Sequence, residues 1–379
     1  MQNIFLSLGS NQGNTFEQLQ AAVNAIYQSL GDIKKISSVY RSPALGFDGP
    51  DFMNCIVWVS SDLSPAQVLK HILEIEKTMG RVRNQTEGYS SRTIDIDIIT
   101  IDDVVKKTKK LELPHPKAHE RLFVLRPLQE VHPEIILPKH DKDIDQLIEQ
   151  CQDSSVLEKL SKWLRNPKKS YALDRYNYIA IEGNIGAGKT SLATQIAADF
   201  NAKLVLERFK DNPFLPKFYE DQSRYAFPLE MSFLADRYQQ LMDDIAQYDL
   251  FKKFMVADYD VFKSLIFAQV TLLDDEYSLY KKLFHLMHRD LARPDLYVYL
   301  YQTTESLLAN IKKRGRDYEQ SIKVEYLEKL NHGYLTYIRS LPPAQVKVID
   351  VSELDFVANR ADYLKVLKAM SSVDSDEVL

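Results

Sequence analysis

Residues 183–190, Gly-Asn-Ile-Gly-Ala-Gly-Lys-Thr, form a complete G-x-x-x-x-G-K-[ST] phosphate loop, and they begin almost halfway along the chain. Such a loop constrains its surroundings. It needs a strand before it and a helix after it, so that backbone N–H groups and the helix N-terminus face one anion. Both are present: Tyr178–Ile181 is an apolar run, and Ser191 to Phe200 has helical patterning. Gly183, Asn184, Ile185, Gly186, Ala187 and Gly188 would wrap the phosphates of a nucleoside triphosphate. Lys189 would neutralise the β- and γ-oxygens, and Thr190 would offer its hydroxyl to Mg²⁺. Folds of this kind usually start at the strand before the loop, so the residues ahead of it must form something else.

At 379 residues the chain has room for two or three domains of about 150 residues each. Hydrophobic residues make up 45% and charged residues 27%, so each half can bury a core of its own. The net charge of −5 supplies no basic field for nucleic acid. Cys55 and Cys151 are the two cysteines, too few for a disulfide framework, and they predict a reducing, cytoplasmic setting. Met1 to Leu6 do not open a secretory signal, and no apolar stretch reaches the ~18 residues of a membrane span, so neither secretion nor insertion is predicted.

The first half alternates strands and helices. Asn3–Leu8, Ile33–Tyr40, Asn54–Ser60 and Ile94–Ile101 read as strands. Asn14 with Glu17 caps a helix running to Leu30, and Ser64-Pro65-x-Gln67 starts a second that Gly80 ends. The β-α-β-β-α-β order predicts an α+β, ferredoxin-like domain with helices on one face of an antiparallel or mixed sheet. In the second half, Tyr178–Ile181, Lys203–Leu206, Phe254–Ala257, Leu296–Tyr301 and Val346–Val351 are short apolar runs between long helical patterns. They predict an α/β domain with a parallel sheet covered on both faces. The expected division is 1–164 and 176–370, joined by a linker at 165–175 and followed by a flexible tail at 371–379.

Within the first half, Asp95 and Asp97 share one face of a strand, about 6.6 Å apart at Cα. Two such close carboxylates repel unless a cation lies between them, and hard oxygen ligands suit Mg²⁺. Alone, the pair reads equally as a solvated strand edge. Around it stand Arg81, Arg92, His115 and Arg121, and guanidinium groups clamp phosphates well.

Taken together, these residues resemble the 6-hydroxymethyl-7,8-dihydropterin pyrophosphokinases. The resemblance spans residues 1 to about 164. It rests on Ser7-Leu-Gly9-Ser10-Asn11, Tyr40-Arg41-Ser42-Pro43-x-Leu45-Gly46, Pro50-Asp51-Phe52-x-Asn54, Gly80-Arg81-x-Arg83, Arg92-x-x-Asp95-x-Asp97, Pro114-His115 and Arg121-x-Phe123. It implies diphosphate transfer from ATP to a pterin hydroxymethyl group. Asp95 and Asp97 would hold Mg²⁺ ions, while Arg81, Arg92, His115 and Arg121 clamp phosphates and ATP. Phe52 and Phe123 would sandwich the flat pterin, with Ser42, Pro43, Leu45 and Asn54 around its edge. The chain departs from the family pattern at Ser90-Ser91 and in a loop between Arg81 and Arg92 one residue longer than in some relatives.

In the second half Glu207 follows the second apolar run, where a carboxylate points into the crevice of a parallel sheet. It could take the proton of a substrate hydroxyl, or simply pair with a cation. Lys312 to Glu319 is densely basic around Gly315 and could close over a triphosphate.

This half, residues 176 to about 370, resembles the deoxynucleoside kinases. The carriers are Glu182 to Thr190, Asn212-Pro-Phe-Leu, Phe218-Tyr219, Phe233-Leu-x-x-Arg237, the basic segment and Glu325-Tyr-Leu-x-Lys-Leu330. The resemblance implies Glu207 as general base for a 5′-hydroxyl, Tyr219 and Glu319 on the sugar 3′-hydroxyl, and Arg314 and Arg316 as lid arginines. It also implies a homodimer formed through helices of this half. Glu230 stands where the family has Gln, seven residues before Arg237 on one helix face. An ionised Glu only accepts hydrogen bonds, so it favours the N–H-rich edge of guanine, with Arg237 reaching O6 or N7. Lys263, where Asp is common, fits an acceptor-bearing purine as well. The prediction is a purine deoxynucleoside, deoxyguanosine ahead of deoxyadenosine. Asp258 replaces a common Glu-Arg-Ser motif and could organise Mg²⁺ or Lys189. Two alternatives remain for this half: a non-catalytic ATP-binding regulatory module, or a nucleoside monophosphate kinase.

Overall fold

The structure, a computed structural model, describes residues 1–81, 91–208, 212–246, 252–287, 293–342 and 345–372. Arg83, Ser90 and the tail from residue 373 lie outside the described residues. The chain divides into two compact units, Met1–Tyr171 and Ala172–Leu379.

The first unit is built on an antiparallel sheet. Strand β1 (Gln2–Ser10) lies between β4 (Phe52–Ser61) and β5 (Asp95–Ile101), with Leu8 opposite Cys55 on one side and Ile96 on the other. The far edge of β4 is taken by two strands in succession, β2 (Asp32–Ile36) and β3 (Tyr40–Ser42). A single strand over Ile33–Tyr40 is therefore corrected to two. The pairing slips by one residue between Ile36↔Val57 and Tyr40↔Asn54, and Ser37 bridges the break by accepting the Ile56 N–H on its hydroxyl at 2.9 Å. A small ribbon of β6 (Lys106–Lys107) and β7 (Glu112–Leu113) stands apart, and β8 (Glu158–Lys159) pairs with β3.

Helix α1 (Thr15–Ser29) begins at Asn14, whose side chain accepts the Glu17 N–H at 3.4 Å. Helix α2 (Pro65–Thr78) begins with Pro in its first turn, and Gln67 Oε1 accepts the Ser64 N–H at 2.9 Å. Helices on one face alone were expected. Instead α3 (Leu122–Val131) and α4 (Ile144–Gln150) form a second cover, in which Leu125, Leu128 and Leu147 pack with Phe5, Ile56 and Ile99. The reason lies in β1: Phe5 is buried, and so are its neighbours Ile4 and Leu6, which alternation sends to the opposite face.

The second unit has a five-stranded parallel sheet in the order β10 (Lys203–Val205), β11 (Met255–Ala257), β9 (Tyr178–Gly183), β12 (Leu296–Tyr301), β13 (Val346–Asp350). The phosphate-loop strand β9 is central, and all six of its residues are buried. Around the sheet run α5 (Lys189–Phe200), α6 (Leu215–Glu220), α7 (Gln222–Ala246), α8 (Lys263–Thr271), α9 (Asp274–Met287), α10 (Thr304–Arg314), α11 (Val324–Arg339) and α12 (Arg360–Ser371). Tyr178, Tyr259, Tyr280, Tyr297, Tyr299 and Tyr334 make this core unusually rich in tyrosine. Strand β9 is the switch point of the sheet, with β11 on one side and β12 on the other, and ligands of such sheets bind beyond the strand C-termini there. Among the described residues no helix is long and apolar enough to cross a membrane.

Candidate active sites

The start of β5 carries the first site. Asp95 and Asp97 are half-buried on one face while Ile94, Ile96 and Ile98 are buried on the other. Asp95 pairs with Arg81 at 2.5 Å and also with Arg92. Burial, and then the Asp95 carboxylate, push Asp97 up to about 6, against the pull of Arg121 and Arg81. Such a pair resists full ionisation until a cation joins it. Among the described residues, no three His, Cys, Asp or Glu side chains form a metal cage. Two carboxylates suit an ion that brings further oxygens with its nucleotide.

Two cavities meet at these carboxylates. The larger, about 1180 Å³, is lined by Arg81, Arg92, Asp95, Asp97 and His115, together with Thr108 to Glu112 around the β6–β7 turn. The smaller, about 70 Å³, is lined by Ser42, Pro43, Leu45, Phe52, Asn54, Arg121 and Phe123. Arg92, Asp95 and Asp97 border both. His115 is held down to about 4 by burial and by Arg121, so its imidazole is neutral at ordinary pH. In the smaller cavity Asn54 Nδ2 donates to the Ser42 hydroxyl at 2.9 Å, and Arg121 lies over the Phe123 ring at 5.6 Å.

The Ser10-Asn11 motif has a mechanical part here. Asn11 Oδ1 accepts the Arg92 N–H at 2.7 Å, and the Ser10 hydroxyl donates to the Thr93 carbonyl at 2.6 Å. The end of β1 thus fixes the backbone from which Arg92 projects. Two residues of this site escaped the sequence reading. Phe47 stands edge-on to Phe52 at 6.2 Å, and Glu76, 2% exposed, binds Arg81 and accepts the Ile96 N–H at 2.9 Å. Glu76 had a signal: it is the one acid on the buried stripe Val68, Ile72, Ile75 of α2.

The phosphate loop leaves β9 and enters α5. Gly186 and Gly188 both have φ of +86°, and a Cβ on Gly188 would meet the Phe356 ring at 2.6 Å. Lys189 Nζ donates to the carbonyls of Gly183 and Asn184, at 2.9 and 3.0 Å. Asn184, itself buried, donates to the Leu327 carbonyl and Asn331 on α11, both at 2.8 Å. The loop is therefore pinned before any anion arrives. Burial and Lys263 bring the Lys189 ammonium down to about 8, with Glu182, Glu207 and Asp258 opposing them. Thr190 donates its hydroxyl to Asp258.

Glu207 stands just past β10. Its Oε1 accepts from Arg237 Nε at 2.8 Å and Nη2 at 2.7 Å, and its Oε2 accepts from Lys263 Nζ at 2.7 Å. Burial alone would raise this carboxyl, but Lys263 and Arg237 hold it well below the usual carboxylate range. The ion pair weighed from the sequence is present. Arg237 turns Nη1 to the Ser264 hydroxyl at 2.7 Å and Nε and Nη2 to Glu207. Lys263 likewise serves Glu207. The cause is electrostatic: a carboxylate buried this far captures the nearest cations.

Glu230 is 1% exposed on α7, with Oε1 at 3.4 Å from the Thr271 hydroxyl and Oε2 without a hydrogen-bond partner. Burial pushes it up to about 7, and Arg237 offsets this only in part. Its burial thus favours the neutral form more than the sequence alone suggests. Tyr219 on α6 stacks on Tyr318 at 5.9 Å and lies close enough to Glu319 and Glu230 to feel both charges. Glu319, 5% exposed, pairs with Arg314 and, at 3.1 Å, with Arg316. The C-terminus of α10 and its Gly315 cap, at φ +71°, turn these two arginines toward that carboxylate.

Comparison with known proteins finds a family for each part of the chain. Residues 179–373 match the family described as deoxynucleoside kinase, and residues 5–133 the family described as 7,8-dihydro-6-hydroxymethylpterin-pyrophosphokinase. The chain is 39% identical over 193 residues to a deoxyguanosine kinase of Bacillus subtilis, covering 50% of this chain and 93% of that relative. It is 35% identical over 185 residues to a deoxyadenosine kinase of Dictyostelium discoideum, covering 48% of this chain and 74% of that relative. Over 152 other residues it is 38% identical to a 2-amino-4-hydroxy-6-hydroxymethyldihydropteridine pyrophosphokinase of Synechocystis, covering 40% of this chain and 77% of that relative. The chain belongs to two families at once: it is a bifunctional ATP-dependent transferase, a hydroxymethyldihydropterin pyrophosphokinase continued by a deoxynucleoside kinase.

Proposed function

We propose that the pyrophosphokinase places ATP in the larger first-unit cavity and the pterin in the smaller one, so that the transfer occurs where they meet. The observation that carries this reading is the sharing of Arg92, Asp95 and Asp97 by both cavities. Arg81, Arg92, His115 and Arg121 clamp the phosphates and ATP. Phe52 and Phe123 take the flat ring, with Ser42, Pro43, Leu45 and Asn54 around its edge. Asp95 and Asp97 hold Mg²⁺, which supplies charge neutralisation along the phosphate chain. The order β5-β1-β4-β2, antiparallel throughout, supports a ferredoxin-like description of this domain. Its working part is residues 1–164, and 165–175 connects it to a kinase domain at 176–370.

In the kinase, residues 183–190 hold ATP, with Lys189 on the phosphates and Thr190 offering an oxygen to Mg²⁺. Glu207 receives the proton of the nucleoside 5′-hydroxyl, Tyr219 and Glu319 take the 3′-hydroxyl, and Arg314 and Arg316 close on the phosphates. Glu230 and Arg237 read a purine, deoxyguanosine ahead of deoxyadenosine. The unpartnered Glu230 oxygen supports this choice, since it awaits an N–H donor. A regulatory module or a monophosphate kinase has less support, because the loop, Glu207 and the two arginines are all present in a chain of this family. The protein works in the cytoplasm as a homodimer through its kinase half.

The test is phosphorylation of each deoxynucleoside in parallel, alongside pterin turnover. Deoxyguanosine should lead and pyrimidines should trail. A pyrimidine preference overturns the substrate reading.

A further inference from the structure

We propose that Lys263 is a positioning residue of the kinase reaction: it fixes the Glu207 carboxylate against the incoming 5′-hydroxyl and does not read the nucleobase. This rests on Glu207 being the general base.

Lys263 is the first residue of α8, 4% exposed, with Nζ 2.7 Å from Glu207 Oε2. The next residue, Ser264, accepts Arg237 Nη1 at 2.7 Å, and Arg237 binds Glu207 Oε1. The first turn of α8 therefore addresses both oxygens of one carboxylate, Oε2 directly and Oε1 through Arg237. Aromatic faces steady both cations: Lys263 Nζ lies 5.6 Å from the Phe267 centroid and the Arg237 guanidinium 4.7 Å from that of Phe233. Oε1 already accepts twice from Arg237, whereas Oε2 accepts from Lys263 and keeps a second lone pair on which the incoming hydroxyl can donate.

The reaction needs this orientation. The 5′-oxygen bonds to the γ-phosphorus, the bond from that phosphorus to the β–γ bridging oxygen breaks with its electron pair leaving on ADP, and the hydroxyl proton passes to Glu207. A carboxylate flanked by two cations is a weak proton acceptor. In a loose phosphoryl-transfer transition state, however, holding the nucleophile in line counts for more than removing its proton early. The charged and titratable groups around Glu207 are Arg237 and Glu230 from α7, Lys263 from α8, Lys189 from α5, Glu182 from β9, Tyr334 from α11, and Asp258 beyond β11. Of these, Lys263, in direct contact with Oε2, does most to keep Glu207 ionised against its burial.

The test compares Lys263→Met, Lys263→Arg and Glu207→Gln in the full chain. It measures kcat, KM and the pH profile with deoxyguanosine and deoxyadenosine, with thermal melting as the folding control. Lys263→Met should lower kcat roughly ten- to hundredfold. It should also move the acid limb of kcat/KM to higher pH and leave the deoxyguanosine-to-deoxyadenosine ratio within about twofold. Lys263→Arg should recover most of kcat. If Lys263→Met does not fold, Lys263→Gln, which keeps a donor without the charge, should show the same pH shift. A changed nucleoside ratio with kcat retained, or an unmoved acid limb, overturns the proposal. Wild-type kcat in Glu207→Gln overturns the base assignment itself. An inactive Glu207→Gln beside a fully active Lys263→Met overturns only the role of Lys263.

Discussion

Asp258 holds the Thr190 hydroxyl at 2.5 Å on one carboxylate oxygen, while its other oxygen accepts the Glu207 N–H at 2.8 Å. One side chain just past β11 thus spaces the phosphate loop from Glu207. Asp258→Ala leaves both donors without that acceptor. We predict a loss of stability of about 1–3 kcal/mol and a fall in kinase kcat of roughly tenfold or more. Asp258→Asn, which keeps an acceptor for the Glu207 N–H, should fall between. Thermal melts and steady-state kinetics decide it.

Asp97 borders both cavities of the pyrophosphokinase but lies in a different unit from the phosphate loop. Asp97→Ala should reduce pterin turnover by roughly a hundredfold or more while deoxynucleoside phosphorylation stays at the wild-type rate. Lys189→Met should do the reverse. Parallel assays on one preparation of each variant check both arms.

Glu230 titrates near 4.5 in the unfolded chain and is pushed up to about 7 in the folded one. Between these values the folded state keeps a proton that the unfolded state releases, so stability falls as pH rises through that window. Glu230→Gln removes the loss. Relative to wild type it should gain about 2–3 kcal/mol between pH 5 and pH 8, seen in denaturant melts at the two values. An N–H-rich base edge would draw the carboxyl into its ionised form. The KM for deoxyguanosine should therefore fall from pH 6 to pH 8 in wild type and stay level in Glu230→Gln.

Gly188 combines a φ of +86° with a Cβ position 2.6 Å from the Phe356 ring. Gly188→Ala meets strain and overlap together. A destabilisation of about 2–4 kcal/mol is expected, with loss of kinase activity and retention of pterin turnover. Trimming the ring with Phe356→Ala should relieve the overlap but not the strained φ.

The sequence was most readable where one motif demanded one geometry. The phosphate loop required β9 and α5, and both are there. The spaced residues around Asp95 and Asp97 led to the two adjoining cavities. It was least readable where partners are chosen by three-dimensional proximity. Lys263 lies 56 positions from Glu207, and nothing local to either residue announces their bond. Arg237 looked free to meet a ligand because its competitor, Ser264, belongs to another helix. The second cover of the first sheet was missed for a related reason. Phe5 lies on the other face of β1 from Ile4 and Leu6, and its cover, α3, comes more than a hundred residues later in the chain.

The division at Tyr171 and Ala172 has a genetic consequence. Each unit carries its own sheet, its own core and its own candidate site. A lesion at Asp97 and a lesion at Lys189 should therefore behave as changes in two separate genes. A cell supplied with one copy of each damaged chain should grow as though it held an intact one, and a cell with both lesions on a single chain should not.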